Sequence, residues 1–322
     1  MKRRELLMAG SALLLNGLAA RNAGGVTAKG HPAPVAEGIA AAATGGHPAP
    51  VAKRGSVSAG GSGQVKTLQI KNITIGAGRP KIVVPIVAGN ADEALARADA
   101  LARRRDIAVV ELRIDALPPV RDPSTIAALS RQIYARLPQH IVLLTFRTQA
   151  EGGLRALTDP AYGDLYVTLL REGQMDLLDV EMMREREIVT RLVSQAHRAG
   201  VGVVMSNHDF HATPPQAEIV RRLRQQQALG ADILKIAVMP RDGGDALRLM
   251  NATWEMFSRY AERPLLTMAM GSRGVVTRLA GELTGSALTF GKVGGASAPG
   301  QIDAAALHST LNTIHQAVVQ GS

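Results

Sequence analysis

Short apolar runs recur along the chain from residue 81 onward, and longer stretches with helical spacing separate them. The runs are five to eight residues long, which is the usual length of a strand buried in a sheet. Eight strands are predicted, at Lys81–Val87, Val109–Asp115, Ile141–Arg147, Leu177–Glu181, Gly202–Asp209, Ala231–Val238, Pro264–Met270 and Leu288–Val293. Upstream, Leu68–Ile75 alternates apolar and polar residues and ends at a Gly-Ala-Gly turn, which predicts a short β-hairpin.

Between and after these strands, apolar residues recur at helical spacing. The predicted helices include Ala91–Arg104, Ser124–Leu137, Glu185–Ala199, Pro215–Leu229, Asp245–Ala261, Gly274–Thr284 and Asp303–Val319. Alternation of eight strands with helices over this length predicts an α/β protein folded as a closed (β/α)8 TIM barrel. The competing solution is a doubly wound open sheet, but no Gly-x-Gly-x-x-Gly motif follows the first strand.

The first 65 residues have a different composition. Residues 1–22 place Lys2-Arg3-Arg4 before a moderately apolar stretch, which predicts a signal peptide of the twin-arginine type and a periplasmic location. That stretch is too short for a stable membrane span, and the alternative is a cytoplasmic protein with a basic tail. Residues 23–65 consist mostly of Gly, Ala, Pro, Ser and Thr, which predicts a flexible linker. The catalytic domain is expected at 66–322.

The net charge of +10 does not indicate a nucleic-acid partner. Residues 1–65 carry seven basic and two acidic residues, so half of the excess lies in the leader and linker. Aromatic residues make up only 3% of the chain, which leaves few side chains to stack on bases. The absence of cysteine excludes disulfides, iron–sulfur clusters and thiolate zinc sites.

Lysine is rare in this chain, which has eight lysines and 29 arginines. One of them, Lys235, lies within the apolar strand Ala231–Val238, where a charged group costs desolvation energy. A buried lysine can lose its proton and attack a carbonyl to form a Schiff base, whereas arginine cannot. Lys235 is therefore a candidate amine nucleophile, while Lys292, at the last strand, is expected to be structural.

Other polar residues cluster where the predicted strands end, which is where barrel enzymes carry their active sites. On the second strand, period-two geometry places Glu111, Arg113 and Asp115 on the inward face, with Leu112 and Ile114 outward. Arg147 ends the third strand and Glu151-Gly152-Gly153 follows it. His208 lies near the end of the fifth strand.

Six segments together resemble the type I 3-dehydroquinate dehydratases over roughly residues 66–318. They are Glu111–Asp115, Thr145–Arg147 with Glu151–Gly153, Ser206–His211, Asp232–Ala237, Arg278–Glu282 and Ala296–Gln301. The resemblance implies a barrel, usually a homodimer, that converts 3-dehydroquinate to 3-dehydroshikimate and water without metal or organic cofactor. One departure is Pro85 on the first strand, where some members carry a serine.

The resemblance also implies roles. Lys235 would form the imine, His208 would be the general acid and base, and Glu151 would orient His208. Residues implied to bind the substrate are Glu111, Arg113, Arg147, Arg278, Ser297 and Gln301, the last two on a lid after the final strand. The reaction serves the shikimate pathway and aromatic amino-acid biosynthesis, or quinate catabolism, which export would favour. Two alternatives are another Schiff-base barrel enzyme like the class I aldolases, and a catalytically silent binding protein.

Overall fold

A computed structural model describes residues 53–56, 66–118 and 122–321 of the chain. The predicted signal peptide and most of the predicted linker lie outside these residues. Within the linker, however, Lys53–Ser56 forms a strand, β1, which pairs antiparallel with the first strand of the predicted hairpin. The flexible linker over residues 23–65 stays a prediction.

Twelve strands are present in the described residues. They are β1 (Lys53–Ser56), β2 (Lys66–Ile70), β3 (Ile73–Ile75), β4 (Lys81–Ile86), β5 (Val109–Arg113), β6 (Ile141–Thr145), β7 (Leu177–Glu181), β8 (Gly202–Asp209), β9 (Ile233–Val238), β10 (Leu265–Ala269), β11 (Leu288–Lys292) and β12 (Ile302–Asp303). Strands β4 to β11 are the eight predicted barrel strands.

The same residues contain eight α-helices. They are α1 (Ala91–Leu101), α2 (Pro123–Arg136), α3 (Asp159–Glu172), α4 (Arg186–Arg198), α5 (Gln216–Ala228), α6 (Gly243–Arg259), α7 (Gly281–Thr284) and α8 (Ala304–Gln320). Side-chain caps mark several of the starts: Asn90 accepts from Glu93 N at α1, and Asp242 accepts from Asp245 N at α6.

The barrel strands run parallel in chain order from β4 to β10, and β11 pairs with the other edge of β4. The curled sheet closes between β10 and β11 through a parallel bridge from Leu265 to Ser286, where Ala287 N donates to Leu265 O at 2.8 Å. The predicted TIM barrel is thus confirmed. Its carboxyl strand ends lie together at one end, which brings the candidate catalytic residues together.

Two apolar layers hold the barrel in shape. The outer layer lies between strands and helices and includes Leu112 and Ile114, as period two predicts. The inner layer fills the inside of the barrel and includes Val83, Val109 and Ile141. The β2–β3 hairpin contributes Leu68, Ile70 and Ile75 to this inner layer, so it closes the amino-terminal end of the barrel.

Two helical segments differ from the predicted set. Helix α3 was not predicted, because Gly163 lies in its interior and weakens the helical signal. The predicted helix at Gly274–Thr284 is instead a 3-10 turn, Ser272–Arg278, followed by the single turn of α7. Gly274 packs so tightly that an added Cβ would lie 2.3 Å from Ala269 O, and this close approach keeps the segment against β10. In the described part of the chain no helix combines the length and hydropathy needed to cross a membrane.

Candidate active site

A narrow cavity of ≈ 60 Å³ opens at the carboxyl ends of the barrel strands. Every residue with a predicted catalytic or substrate-binding role lines it. The lining residues are Glu111, Arg113, Arg147, Glu151, Gly152, His208, Phe210, Lys235, Ala237, Met268, Met270, Arg278, Phe290, Ser297, Ala298 and Gln301. Residues from six different strands and the loops that follow them therefore meet at one place, as the barrel architecture requires.

Lys235 lies in the middle of β9 and is only 2% exposed. Its Nζ donates to Asp179 Oδ2 at 2.8 Å and lies 3.8 Å from Glu111 Oε1. The ring of Phe290 covers it, with Nζ 5.0 Å from the ring centroid. The amine is thus held among two carboxylates and one aromatic face, and it opens only to the cavity.

Asp179, on β7, is the main partner of Lys235 and is fully buried. Its second oxygen accepts from Arg147 Nη2 at 2.7 Å and from Ser206 Oγ at 2.6 Å. Burial alone would raise the pKa of Asp179, but the charges of Arg147 and Lys235 outweigh it and lower the pKa to about 2. Asp179 is therefore ionised throughout the physiological range and fixes the position of the amine.

His208 and Glu151 form a second pair beside the lysine. Glu151 Oε2 lies 2.9 Å from His208 Nδ1 and also accepts the backbone N–H of His208 at 3.1 Å. Burial, together with the charges of Arg147 and Lys235, lowers the pKa of His208 well below its usual value. Burial also raises the pKa of Glu151 to about 8, against the opposing charge of Arg147. With Nδ1 facing Glu151, the imidazole has Nε2 as its remaining nitrogen for a ligand.

Two glycines make the approach of Glu151 to His208 possible. Gly152 has a φ of +83°, and a Cβ there would lie 2.2 Å from the Phe210 ring. A Cβ on Gly153 would lie 1.8 Å from Arg147 O. The Glu-Gly-Gly sequence is therefore required by the tight turn that follows β6.

Arg147 connects the two pairs. Its guanidinium donates to Glu181 at 2.9 Å and to Ser206 at 2.9 Å, in addition to Asp179. It also lies 3.3 Å from Glu151. Its donors are largely taken up by protein carboxylates, so its geometry suits positioning of the surrounding side chains as well as the predicted substrate contact.

The charged residues of β5 divide into two groups. Glu111 and Arg113 line the cavity, as predicted. Asp115 does not: it lies beyond the strand in a 3-10 turn, Ile114–Ala116, where period two no longer applies. There it forms a bidentate pair with Arg113, with both N–O distances at 2.8 Å, and accepts Arg147 N at 3.2 Å. The prediction that Asp115 faces the mouth is wrong, and its role is to hold Arg113.

Arg278, in the 3-10 turn after β10, is 1% exposed and lines the cavity. Its donors reach only the carbonyls of Phe290 at 3.4 Å and Pro299 at 3.2 Å, and its Nε has no hydrogen-bond partner among the described residues. Burial lowers its pKa to about 10. A buried guanidinium without a carboxylate partner in this part of the chain is well suited to an anionic ligand.

The loop after β11 covers the cavity. Gln301 Oε1 accepts from Ser297 N, and Gln301 Nε2 donates to Ser297 Oγ, both at 2.9 Å. Gly271 N donates to Pro299 O at 3.1 Å, which ties the loop to the end of β10. Ser297 and Gln301 therefore form one unit over Lys235 and Arg278, in the position expected of a lid. Pro85 of β4 is not among the residues that line the cavity.

Asp179, Glu181 and Ser206 were not predicted as site residues. The first two lie on β7 two residues apart, so the period-two argument that selected Glu111 and Arg113 would also have selected them. Within residues 66–118 and 122–321, no group of three or more His, Asp or Glu side chains has the arrangement of a metal site.

Comparison with known proteins agrees with this geometry. A family model described as type I 3-dehydroquinase matches residues 82–318. The 3-dehydroquinate dehydratase of Enterococcus faecalis is 48% identical over 252 residues, which cover 78% of this chain and 99% of the relative. The 3-dehydroquinate dehydratase of Listeria monocytogenes is 47% identical over 247 residues, covering 77% and 97%.

Solved structures lead to the same family. The crystal structure of type I 3-dehydroquinate dehydratase from Clostridium difficile, with covalently modified comenic acid, has a TM-score of 0.76 and 42% identity, and the match covers 79% of this chain and 99% of that one. The structure of the Enterococcus faecalis enzyme has a TM-score of 0.71 and 46% identity, covering 76% and 97%. This chain belongs to the type I 3-dehydroquinase family.

Proposed function

We propose that this chain, as a hydro-lyase, converts 3-dehydroquinate to 3-dehydroshikimate and water through an imine at Lys235. The observation that carries this mechanism is the position of the Lys235 amine. It is buried between Asp179 and Glu111, in the same cavity as the His208–Glu151 pair and the guanidinium of Arg278, which has no carboxylate partner among the described residues. These are the groups needed to bind a carboxylate, attack a ketone and move a proton.

In the first step the Lys235 ammonium gives up one proton and its neutral amine attacks the C3 ketone. That proton goes to the carbinolamine hydroxyl, which leaves as water to give a protonated imine. Asp179 at 2.8 Å and Glu111 at 3.8 Å are placed to stabilise its positive charge. Because Arg147 and Ser206 hold Asp179 from the other side, the carboxylate stays in position when the ammonium becomes an imine. The imine withdraws electrons and acidifies the hydrogen at C2.

His208 transfers the proton. Its lowered pKa keeps the imidazole neutral, so that it can accept the C2 proton and leave an enamine. The enamine expels the C1 hydroxyl, which takes the proton back from His208 and departs as water. Hydrolysis of the remaining imine then releases the product and restores Lys235. Glu151 holds the ring in one orientation throughout.

Binding of the substrate is assigned to the remaining cavity residues. Arg278 is placed to pair with the C1 carboxylate, and Glu111 and Arg113 with ring hydroxyls. Ser297 and Gln301 would contact the ring from the lid, and a closed lid would protect the imine from early hydrolysis.

Incubation of the purified protein with 3-dehydroquinate tests the reaction, because the product contains a conjugated enone that absorbs in the ultraviolet. Borohydride should trap the intermediate as a mass increase on the peptide that contains Lys235, and Lys235→Ala should abolish it. Trapping with a phosphorylated ketose instead would indicate a class I aldolase-like enzyme. Substrate binding without turnover would indicate a silent binding protein.

We also propose that the protein is a homodimer. Exposed apolar side chains lie on adjoining elements, on α6, on the 3-10 turn and on α7, and Trp254 of α6 is 52% exposed. An apolar patch of this kind is typical of a surface that contacts a partner. Light scattering should give the mass of a dimer, and Trp254→Lys should shift it to that of a monomer. A monomeric wild-type protein would contradict the proposal.

Residues 1–22 support a proposal about location and pathway. A twin-arginine signal would carry the folded enzyme to the periplasm, where it would serve quinate breakdown. Cell fractionation with sequencing of the mature N-terminus tests this. An uncleaved cytoplasmic protein would favour the biosynthetic role in the shikimate pathway.

A further inference from the structure

A second and wider cleft lies at the opposite end of the barrel, and the dehydratase mechanism does not use it. Its volume is ≈ 540 Å³, compared with ≈ 60 Å³ for the active-site cavity. It lies between the β2–β3 hairpin, the loop after α1 and helix α8. We call it the amino-end cleft; its charged and titratable lining residues are Arg79, Lys81, Arg104, Arg105, Asp106, His140, His308 and His315.

The amino-end cleft carries an excess of positive charge. Four of its lining residues, Arg79, Lys81, Arg104 and Arg105, are basic, and of the lining residues only Asp106 is acidic. Arg104 and Asp106 neutralise each other in a bidentate pair, with N–O distances of 2.8 and 2.6 Å. Three cations, Arg79, Lys81 and Arg105, remain without an acidic partner within hydrogen-bond distance in the described part of the chain. Arg79 instead donates to the side chain of Asn312.

Lys81 is one of the few lysines of the chain and begins β4 inside the cleft. Its Nζ donates to the carbonyls of Ala77 at 2.8 Å and Arg79 at 3.1 Å, which leaves one of its three N–H groups for a ligand. Burial and the nearby charge of Arg79 lower its pKa, while Glu282 opposes them. The ammonium is therefore in a site where an added anion would relieve an unfavourable charge.

His140 supplies an independent sign of a ligand. It lines the cleft, is 2% exposed, and its Nδ1 has no hydrogen-bond partner among the described residues. Its Nε2 lies 3.0 Å from Arg104 O. Because a carbonyl only accepts, Nε2 carries the proton, and Nδ1 of the neutral ring is an acceptor with nothing to accept. Burying such an atom unpaired costs free energy, which a hydrogen-bond donor on a ligand would recover.

Burial favours the neutral form of His140. Burial is the main cause of its lowered pKa, and the charges of Lys71 and Arg105 lower the pKa further. The hydrogen bond with Arg104 O and the charge of Asp106 raise it. Lys71 approaches from the hairpin and donates to His140 O at 2.5 Å, but its own charge is paired with Asp176 at 2.9 Å. His140 is thus a hydrogen-bond acceptor inside a cationic cleft. An anion without a donor group would pair with the cations but would leave His140 Nδ1 without a hydrogen bond.

We propose that the amino-end cleft binds a small soluble anion that carries at least two negative charges and at least one hydroxyl group. The negative groups would pair with Arg79, Lys81 and Arg105, and the hydroxyl would donate to His140 Nδ1. The site is separate from the active site, because Lys81 and Ala108 stand at the amino ends of β4 and β5 whereas the active-site cavity opens at the carboxyl ends.

Citrate and tricarballylate test the two requirements, because both are tricarboxylates and they differ by a single hydroxyl. Calorimetry on the wild-type protein should show citrate binding about fivefold more tightly, the effect of one neutral hydrogen bond. His140→Phe should remove that difference. Should this variant fail to fold, equal affinity of the wild-type protein for the two ligands would still overturn the proposal.

Charge reversal at the rim gives the matched control. Arg105→Glu should weaken citrate binding by about tenfold or more at low salt. Arg103→Glu makes the same charge change two residues away, at an exposed residue that does not line the cleft, and should change affinity less than about twofold. Equal effects of the two variants would show that only net charge matters, and would overturn the proposal.

Two further measurements identify where citrate binds. Competitive inhibition of the dehydratase reaction together with binding that is insensitive to Arg105→Glu would place citrate in the catalytic cavity and overturn the proposal. Vesicles of phosphatidylglycerol should not retain the protein. Retention that Arg105→Glu abolishes and citrate does not displace would assign the cleft to a lipid headgroup rather than to a soluble ligand.

Discussion

The two ends of the barrel differ in how their charged side chains are paired. At the carboxyl end, Lys235 and Arg147 lie among the carboxylates of Asp179, Glu181 and Glu111, with distances from 2.7 to 3.8 Å. At the amino end, four arginine and lysine side chains line an open cleft, and in the described part of the chain Arg104 alone of these four is paired with a carboxylate. At the catalytic end protein carboxylates pair with the cations, whereas at the amino end most of the cleft cations are open to solvent or a ligand.

This difference bears on what each end can do. The amine proposed to react must be held at a fixed position, and the ion pairs of Lys235 and Arg147 with Asp179, Glu181 and Glu111 provide that at the cost of desolvation. Arg278 is the exception at this end, since its partner is expected to be the substrate. Substitutions at the carboxyl end should therefore affect chemistry and stability strongly, whereas the same changes at the surface or at the amino end should have small effects.

Among substitutions at the carboxyl end, Lys235→Arg is expected to have the largest effect. The variant keeps a positive charge beside Asp179, but a guanidinium cannot form an imine. We expect kcat to fall by about 10⁴-fold or more, as for loss of other covalent nucleophiles, and borohydride trapping to disappear. Lys292→Arg is the control, because Lys292 lies at the end of β11 and does not line the cavity. Appreciable turnover by Lys235→Arg would exclude the imine mechanism.

His208→Ala separates imine formation from proton transfer. We expect kcat to fall by about 10²- to 10⁴-fold, which is the usual contribution of a general acid and base. Borohydride should still trap substrate on Lys235, because the amine and its carboxylates are intact. His211→Ala changes an exposed histidine three residues further on and should leave kcat unchanged. An undamaged rate in His208→Ala would assign the base to another residue.

Much of this site could be predicted from the sequence because a barrel gathers strand ends. Once eight strands are predicted, Lys235, His208 and Glu151 must lie close together, and the structure places them around one cavity. The prediction that alternation along the strand places Asp115 on the inward face was wrong, because the strand ends at Arg113 and the next residues form a 3-10 turn. The supporting carboxylates of β7 were missed because that strand looked like an ordinary apolar run.

The amino-end cleft could not have been predicted in the same way. Its residues come from the hairpin, the segment that leads into β4, the loop after α1, the two residues before β6 and helix α8, and no local pattern connects them. Helix α3 is another example. Its Tyr162 and Tyr166 hydroxyls donate to Asp179 O at 3.4 and 2.8 Å, so contacts with β7 stabilise a helix that contains an interior glycine. Both features depend on tertiary contacts rather than on sequence spacing.

Arg278→Lys tests the unpaired cation of the catalytic end. Lysine keeps the charge but lacks the planar fork that a carboxylate can bind with two hydrogen bonds. We expect kcat/KM to fall by about 10- to 100-fold, the range for one or two hydrogen bonds to a charged group, mainly through KM. Arg273→Lys, at an exposed position of the same 3-10 turn, is the control and should be neutral. A variant with unchanged KM would show that the substrate carboxylate binds elsewhere.

Asp179→Asn and Asp106→Asn compare the stability of the two ends directly. Asp179 has a folded-state pKa of about 2, against an ordinary value of 3.8, so its ionisation stabilises the folded protein above about pH 4. The difference corresponds to about 2 kcal/mol, because one pKa unit is worth about 1.4 kcal/mol. Denaturant unfolding at pH 7 should show Asp179→Asn less stable by about that amount. The gap should shrink as pH falls from about 4 toward 2, where the wild-type carboxylate also becomes protonated.

At the amino end, Asp106 pairs with the partly exposed guanidinium of Arg104, an interaction that solvent screens. We therefore expect Asp106→Asn to cost less than about 1 kcal/mol at pH 7. Equal losses in the two variants would show that burial of the carboxylate does not distinguish the ends. A loss in Asp179→Asn that stays constant down to pH 3 would mean that its cause is packing rather than charge. Either result would mean that the ion pairs of Asp179 with Lys235 and Arg147 do not hold Lys235 in place. The contrast between the two ends would then rest on the geometry of the cavities alone.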